Sequence, residues 1–254
     1  MATALNTEEL EAKVKTMSDM SPRNPRATTT SRRAGIWPSI SATRRSCSIA
    51  SPTAQSSRSP GSATSSASPI CAGESVVDLG SGSGLDLFFA ANQVGSTGRV
   101  IGVDFTVEQL DKARQLATDG AYDQVELREG RIEDLPVDDA SSDCVISNGV
   151  VNLSPEKDRV FAEAARVLRP GGRLAIADIV TEQQLKEAIT CDANLWAACI
   201  GGAAQEDAYR AALEGAGLQV TEVVANPYRF ISDQALGASE KYGVKSASIL
   251  AVKE

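Results

Sequence analysis

From Gly73 onward, short unbroken apolar runs alternate with stretches whose apolar residues recur at helical spacing. "SVVDL" (75–79) is such a run and predicts a strand buried on both faces. "LDLFFAANQV" (85–94) follows as a helix, and "GRVIGVDF" (98–105) as the next strand. "TVEQLDKARQLATDG" predicts a helix with Thr106 as N-cap and with Glu108 and Gln109 in its first turn. "QVELREGRIEDLP" holds a third strand and a loop, and "SSDCVISNGVVNL" a fourth strand and its loop. "PEKDRVFAEAARVLRPGG" predicts a helix ended by Pro170 and Gly171, with "RLAIADIV" as the fifth strand. "DAYRAALEGAGL" is an amphipathic helix stopped by Gly215 and Gly217, and "QVTEVVANPYRFIS" and "KSASILAVK" predict the last two strands. The expected fold is α/β: a doubly wound, seven-stranded, mostly parallel, Rossmann-like sheet. Ligands of such sheets bind beyond the carboxyl ends of the strands, where the strand order reverses.

The first strand runs into "VVDLGSGSGLD" (76–86). A dinucleotide fingerprint needs G-x-G-x-x-G. Gly80, Gly82 and Gly84 are spaced G-x-G-x-G instead, and Leu85 and Leu87 stand where the last glycine would be needed. The spacing therefore fails for NAD. Glycines here let the backbone approach a ligand closely, and Asp78 just before the loop favours a cationic group such as a sulfonium or ammonium. Asp104 ends the second strand 20 residues after Gly84, where a carboxylate can accept both hydroxyls of a ribose. In "GRIEDLP", the backbone at Ile132 and the acid of Glu133 can meet an adenine edge. Amine, ribose and adenine together describe S-adenosylmethionine. The predicted cofactor residues are Asp78, Gly80, Ser81, Gly82, Gly84, Asp104, Phe105, Ile132, Glu133 and Ser147, with Asn148 at the pocket rim facing cofactor or acceptor.

Composition narrows the chemistry. The chain has 254 residues, a net charge of −8 and no histidine, so histidine bases, metal ligands and triads are excluded. The acidic balance argues against nucleic acid as a partner. No apolar run suits a membrane span, and the polar start "MATALNTEELEAKVKTM" has no signal-peptide core. Five cysteines without paired short spacing suggest reduced thiols and a cytoplasmic location.

One segment breaks the pattern. Residues 20–71 hold fourteen serines, seven arginines and no acidic residue, with no helical or strand period. The chain thus divides into an N-terminal helix (1–17), a Ser/Arg-rich segment (18–72) and the α/β domain (73–254). The segment is expected to be poorly ordered, either as a basic linker or as a displaced reading frame. Displaced by one nucleotide, with GC-rich codons assumed, it becomes a stop-free amphipathic text of balanced charge.

"VVDLGSGSGLD", "VIGVDFT", "GRIEDLP", "VISNGVVNLSP" and "EAARVLRPGGRLAIADIV" resemble class I S-adenosylmethionine-dependent methyltransferases. "SNGVVNLSPEKDRVF" and "WAACIGGA" carry a closer resemblance to the arsenite methyltransferase family. That resemblance implies arsenic(III) held by several thiols, with a small thiol such as glutathione as a further partner. It places cysteines in the loop after the fourth strand, in the N-terminal loop and in "CIGGA". Only Cys199 matches; Gly149 stands at the first position, and the displaced frame offers valine at the second. Read as one continuous helix, "ITCDANLWAACIGGA" places Cys191 and Cys199 two turns apart, about 12 Å. Cys144 is expected in the core. Tyr228, Arg229 and Tyr242 either face a substrate or pack the sheet edge. Asp178, at the end of the fifth strand, is a candidate base. Two other readings stand beside arsenic: a C- or O-methyltransferase of a small organic acceptor such as a quinone precursor, and an inactive binding scaffold or damaged-gene product. Sequencing the coding DNA around codons 18–71 is expected to show the displaced frame. An unbroken frame for the serine-rich text would refute that reading.

Overall fold

The computed structural model describes residues 12–13, 69–192, 195–196, 199–227 and 233–254. Most of the expectations for 1–17 and 18–72, and those for Tyr228 and Arg229, lie outside the described residues. The elements are β1 (Ser75–Leu79), α1 (Leu85–Val94), β2 (Arg99–Asp104), α2 (Val107–Asp119), β3 (Val125–Glu129) and β4 (Ser142–Asn148). A 3-10 turn (Val151–Leu153), α3 (Lys157–Val167), β5 (Leu168–Thr181), α4 (Glu187–Thr190) and β6 (Ala204–Gln205) follow. The chain closes with α5 (Glu206–Gly215), β7 (Leu218–Ala225), α6 (Asp233–Tyr242) and β8 (Lys245–Lys253). Helix α6 was not foreseen from the sequence.

The strand order is β3-β2-β1-β4-β5-β8-β7, with the two-residue β6 beside β5. β1 to β5 pair in parallel, and β8 runs antiparallel to β5 and β7. The expected doubly wound, mostly parallel sheet is therefore present, with its order reversing between β1 and β4. Period-2 alternation sorts the side chains. Val76, Val100, Cys144 and Ile146 pack with Leu87, Ala90, Ala91 and Val94 of α1. Val77, Leu79, Val103 and Val145 pack with Val160, Phe161 and Ala164 of α3 on the other face. Burying a side chain such as Leu87 contributes about 2 kcal/mol. The same alternation puts Asp78, Asp104 and Asn148 on the α1 face, at the carboxyl ends of three adjacent strands.

Three expectations need correction. Helix α3 stops at Val167, not at Pro170 and Gly171, and β5 begins at Leu168. A residue before proline disfavours helical dihedrals, so the helix ends upstream of Pro170. The β4–β5 register then jumps from Ser142↔Leu168 to Cys144↔Arg173. Second, 189–203 is not one helix: α4 ends at Thr190, and Cys199 has φ +63°. The two-turn relation of Cys191 to Cys199 therefore does not hold. Third, Cys71 is disulfide-bonded, whereas Cys144, Cys191 and Cys199 are not. Cys144 is fully buried, as expected, and burial pushes its thiol up to about 12. Tyr242 packs among Ile179, Leu185, Ile200 and Val244 rather than lining the cavity described below.

Asp178 anchors the layer beyond β5. It is 2% exposed, its Oδ2 accepts from the Asn152 amide and its Oδ1 from the Ile179 amide, both at 2.8 Å. The Tyr209 hydroxyl donates from 3.5 Å. Burial pushes the carboxyl up from 3.8 to about 6, against the pull of those amides and of Lys157. Burial likewise pushes Lys157 down to about 8. Because the folded acid holds its proton more tightly than the unfolded one, its contribution to stability is fullest below about pH 4 and is lost as pH rises through about 6. Asp178→Asn removes this titration. Its stability relative to the wild type is expected to improve by on the order of 3 kcal/mol between pH 4 and pH 7. Denaturant unfolding across that range checks it; a pH-independent difference would count against the assignment.

Candidate active site

The β1–α1 loop is built on left-handed glycines: φ is +65° at Gly80, +52° at Gly82 and +98° at Gly84. Side chains rarely adopt that region. A Cβ on Gly80 would lie 2.5 Å from Val150 Cγ2, whereas one on Gly82 would enter open space. The loop is tied to β2. Gly80 and Ser81 amides donate to the Val103 carbonyl at 2.8 and 3.0 Å, and the Gly82 amide donates to Asp104 Oδ2 at 2.9 Å. Asp104 Oδ1 accepts from the Thr106 amide at 2.8 Å. Thr106 stands at the N-cap of α2 as predicted, but its side chain makes no capping bond.

A cavity of about 370 Å³ opens beside this loop. Gly80, Asp104 and Phe105 form one wall, residues 130–134 a second, and Val150, residues 153–156 and Arg159 a third. Of the predicted cofactor residues, Gly80, Asp104, Phe105, Ile132 and Glu133 meet there. Asp78, Ser81, Gly82, Gly84, Ser147, Asn148 and Cys199 are not on its wall. Yet Ser81 Oγ and Ser147 Oγ are buried without a hydrogen-bond partner among the described residues. The open space over Gly82 fits a ligand that continues from the cavity along the glycine loop. The apolar slot of Phe105 and Ile132, flanked by the carboxylates of Asp104 and Glu133, fits an adenosyl group.

Several positioning residues were not foreseen. The wall loop 130–137 is pinned by α3: the Leu135 amide donates to Glu163 at 2.6 Å, and Arg166 donates to the carbonyls of Val137 and Leu135 at 2.8 and 3.0 Å. Arg166 holds the Glu163 carboxyl below the usual range. The i,i+3 spacing of Glu163 and Arg166 was visible in sequence, but their reach to the loop was not. Ser154 donates to Glu133, joining the second and third walls. Asn148 donates to Asp86 Oδ2 at 3.0 Å, so the rim residue is held by the first turn of α1.

The segment around Cys199 is a tight loop. The Cys199 amide donates to the Trp196 carbonyl at 2.8 Å, and the amides of Ile200 and Gly201 both reach back to Leu195. A Cβ on Gly201 would lie 2.3 Å from Trp196 Cδ1, so only glycine lets the chain fold around the indole. That wrapping is why a continuous helix cannot form. Gly149, where the family resemblance implies a cysteine, has φ +68° and faces open space.

Comparison with known proteins agrees with this architecture. An "Arsenite methyltransferase" of Halobacterium salinarum is 47% identical over 163 residues, covering 63% of this chain and 42% of the relative. One from Aquipseudomonas alcaligenes is 39% identical over 175 residues, covering 66% of this chain and 50% of the relative. The chain thus spans about half the length of these relatives or less. The crystal structure of an arsenic(III) S-adenosylmethionine methyltransferase from Chlamydomonas reinhardtii superposes with a TM-score of 0.61 at 31% identity, covering 71% of this chain and 63% of that one. A family model described as a methyltransferase domain matches residues 70–217, which is more than half of the chain, and the chain accordingly belongs to the methyltransferase domain family.

Proposed function

We propose that this chain transfers a methyl group from S-adenosylmethionine to a small acceptor, with an arsenic(III) thiol complex as that acceptor. The observation that carries the cofactor is the cavity where Asp104, fixed by two backbone amides, meets Phe105, Ile132 and Glu133. The working unit in this reading is residues 73–254. S-adenosylmethionine, when bound, supplies a methyl already activated by its sulfonium. The protein's share is then to bind, orient and exclude water, effects worth up to roughly 7–11 kcal/mol in a well-oriented reaction. Asp104 receives the ribose hydroxyls, Glu133 and the backbone at Ile132 the adenine, and the Gly82 loop the remainder. Asp78 supplies negative charge beneath the loop.

An arsenic(III) acceptor makes the smallest demand on proton transfer. A carbon or oxygen nucleophile usually needs a base. The chain has no histidine, and Asp178, the candidate base, is buried with both oxygens accepting backbone amides. An arsenic lone pair needs no deprotonation. Cys199 is the thiol for that acceptor, and glutathione supplies the ligands that Gly149 does not. Among the described residues no helix is long and apolar enough to cross a membrane. Gly149 also favours a second reading, an organic acceptor such as a quinone precursor, because one thiol alone is a poor arsenic site.

Two measurements test these readings. Calorimetry is expected to show S-adenosylmethionine binding that Asp104→Ala weakens by about tenfold or more; unchanged affinity would remove the cofactor site. Arsenite with glutathione is expected to be methylated in preference to a panel of phenols and quinones, and the reverse preference would install the second reading.

A further inference from the structure

Asn152 is fully buried and is not part of the cavity wall, yet it is held on three sides. Its amide donates to Asp178 Oδ2 at 2.8 Å, and its side-chain Nδ2 donates to the carbonyl of Cys199 at 3.0 Å. Its own carbonyl lies so close to Gly202 that a Cβ there would come within 1.8 Å. Both glycines of "CIGGA" clear the Trp196 indole, and Gly202 clears the Asn152 carbonyl as well. On the other side, Lys157 Nζ donates to the Ser154 carbonyl at 2.7 Å and sits 4.9 Å over the Trp196 ring.

The chain leads from Asn152 into the cavity wall. Leu153 and Ser154 line the cavity, and Ser154 donates to Glu133 on the opposite wall. A single 3-10 turn therefore touches the cavity through its far end and the Cys199 loop through Asn152. Cys199 has φ +63°, a conformation that a residue with a side chain keeps only when its surroundings hold it. The Asn152 side-chain amide reaches the backbone of that strained residue across 47 positions of sequence.

We propose that Asn152 is a positioning residue for the methyl acceptor: its amide locks the Cys199 turn in register with the cofactor wall. This rests on Cys199 being the acceptor-side thiol. Asn152 touches neither cofactor nor acceptor and acts through Cys199. Removing its side-chain amide is expected to release the turn while leaving the cofactor cavity intact.

The test uses the full chain and peptide-resolved alkylation with iodoacetamide. In Asn152→Ala, and in the near-isosteric Asn152→Leu, which lacks the donor and adds no charge, labelling of Cys199 is expected to rise about tenfold, the factor set by one lost buried hydrogen bond. Labelling of the buried Cys144 reports global opening and is expected to stay at the wild-type rate. In turnover, KM for arsenite with glutathione is expected to rise in both variants while the calorimetric affinity for S-adenosylmethionine holds. Equal acceleration at Cys144 and Cys199, or no acceleration at Cys199, overturns the proposal. Failure of the wild type to methylate arsenite would overturn the acceptor reading alone, because the alkylation rates decide the role of Asn152 without turnover.

Discussion

The site depends on one carboxylate held by two backbone amides. Asp104 takes a hydrogen bond from Gly82 on one oxygen and from Thr106 on the other. Bonds to an ionised acceptor are each worth about 1.5–3 kcal/mol, more than neutral ones. The bond to Gly82 clamps the β1–α1 loop to the end of β2, and the bond to Thr106 sets where α2 begins. With the loop clamped, Gly80 must pass against Val150, where no Cβ fits. The acid is thus fixed at a strand end with its lone pairs partly in use, which gives a ligand hydroxyl a rigid acceptor at little ordering cost.

The opposite walls are placed by long-range bonds. Arg166 and Glu163 of α3 grip the loop after β3 through its backbone, and Ser154 closes onto Glu133. Helix α3 itself is seated by apolar burial against the sheet face formed by Val77, Leu79 and Val145. The cavity therefore inherits its shape from the packing of one amphipathic helix. Its glycines and acids only decorate a space that α3 and the sheet define.

This difference explains what the sequence disclosed. The alternation of β1 to β5 with their helices, the glycine loop, Asp104 and the residues at 132–133 were all legible. Each is encoded locally, by alternation or by a glycine whose spacing excludes other backbones. The early stop of α3 at Val167 was legible in principle, since Pro170 restrains the residue before it, but the intervening register jump belongs to the β4–β5 pairing. The fold of 189–203 was not legible. Its helical-looking period is overridden where Gly201 packs against Trp196 and Gly202 against Asn152, the latter a contact across 50 positions that no short window contains. Asp86 and Asn148 were each visible as polar residues, but their bond spans 62 positions.

The buried acid at the end of β5 shows why position must outrank titration when chemistry is assigned. Burial lifts Asp178 to about 6, a value suited to a general base near neutral pH. Yet it is 2% exposed, and its oxygens already receive the amides of Asn152 and Ile179. A proton arriving there would come from the protein's own interior, not from an acceptor in the cavity. The raised value is a by-product of an anchoring role. With that acid committed to structure and histidine absent, neither supplies a base to the cavity.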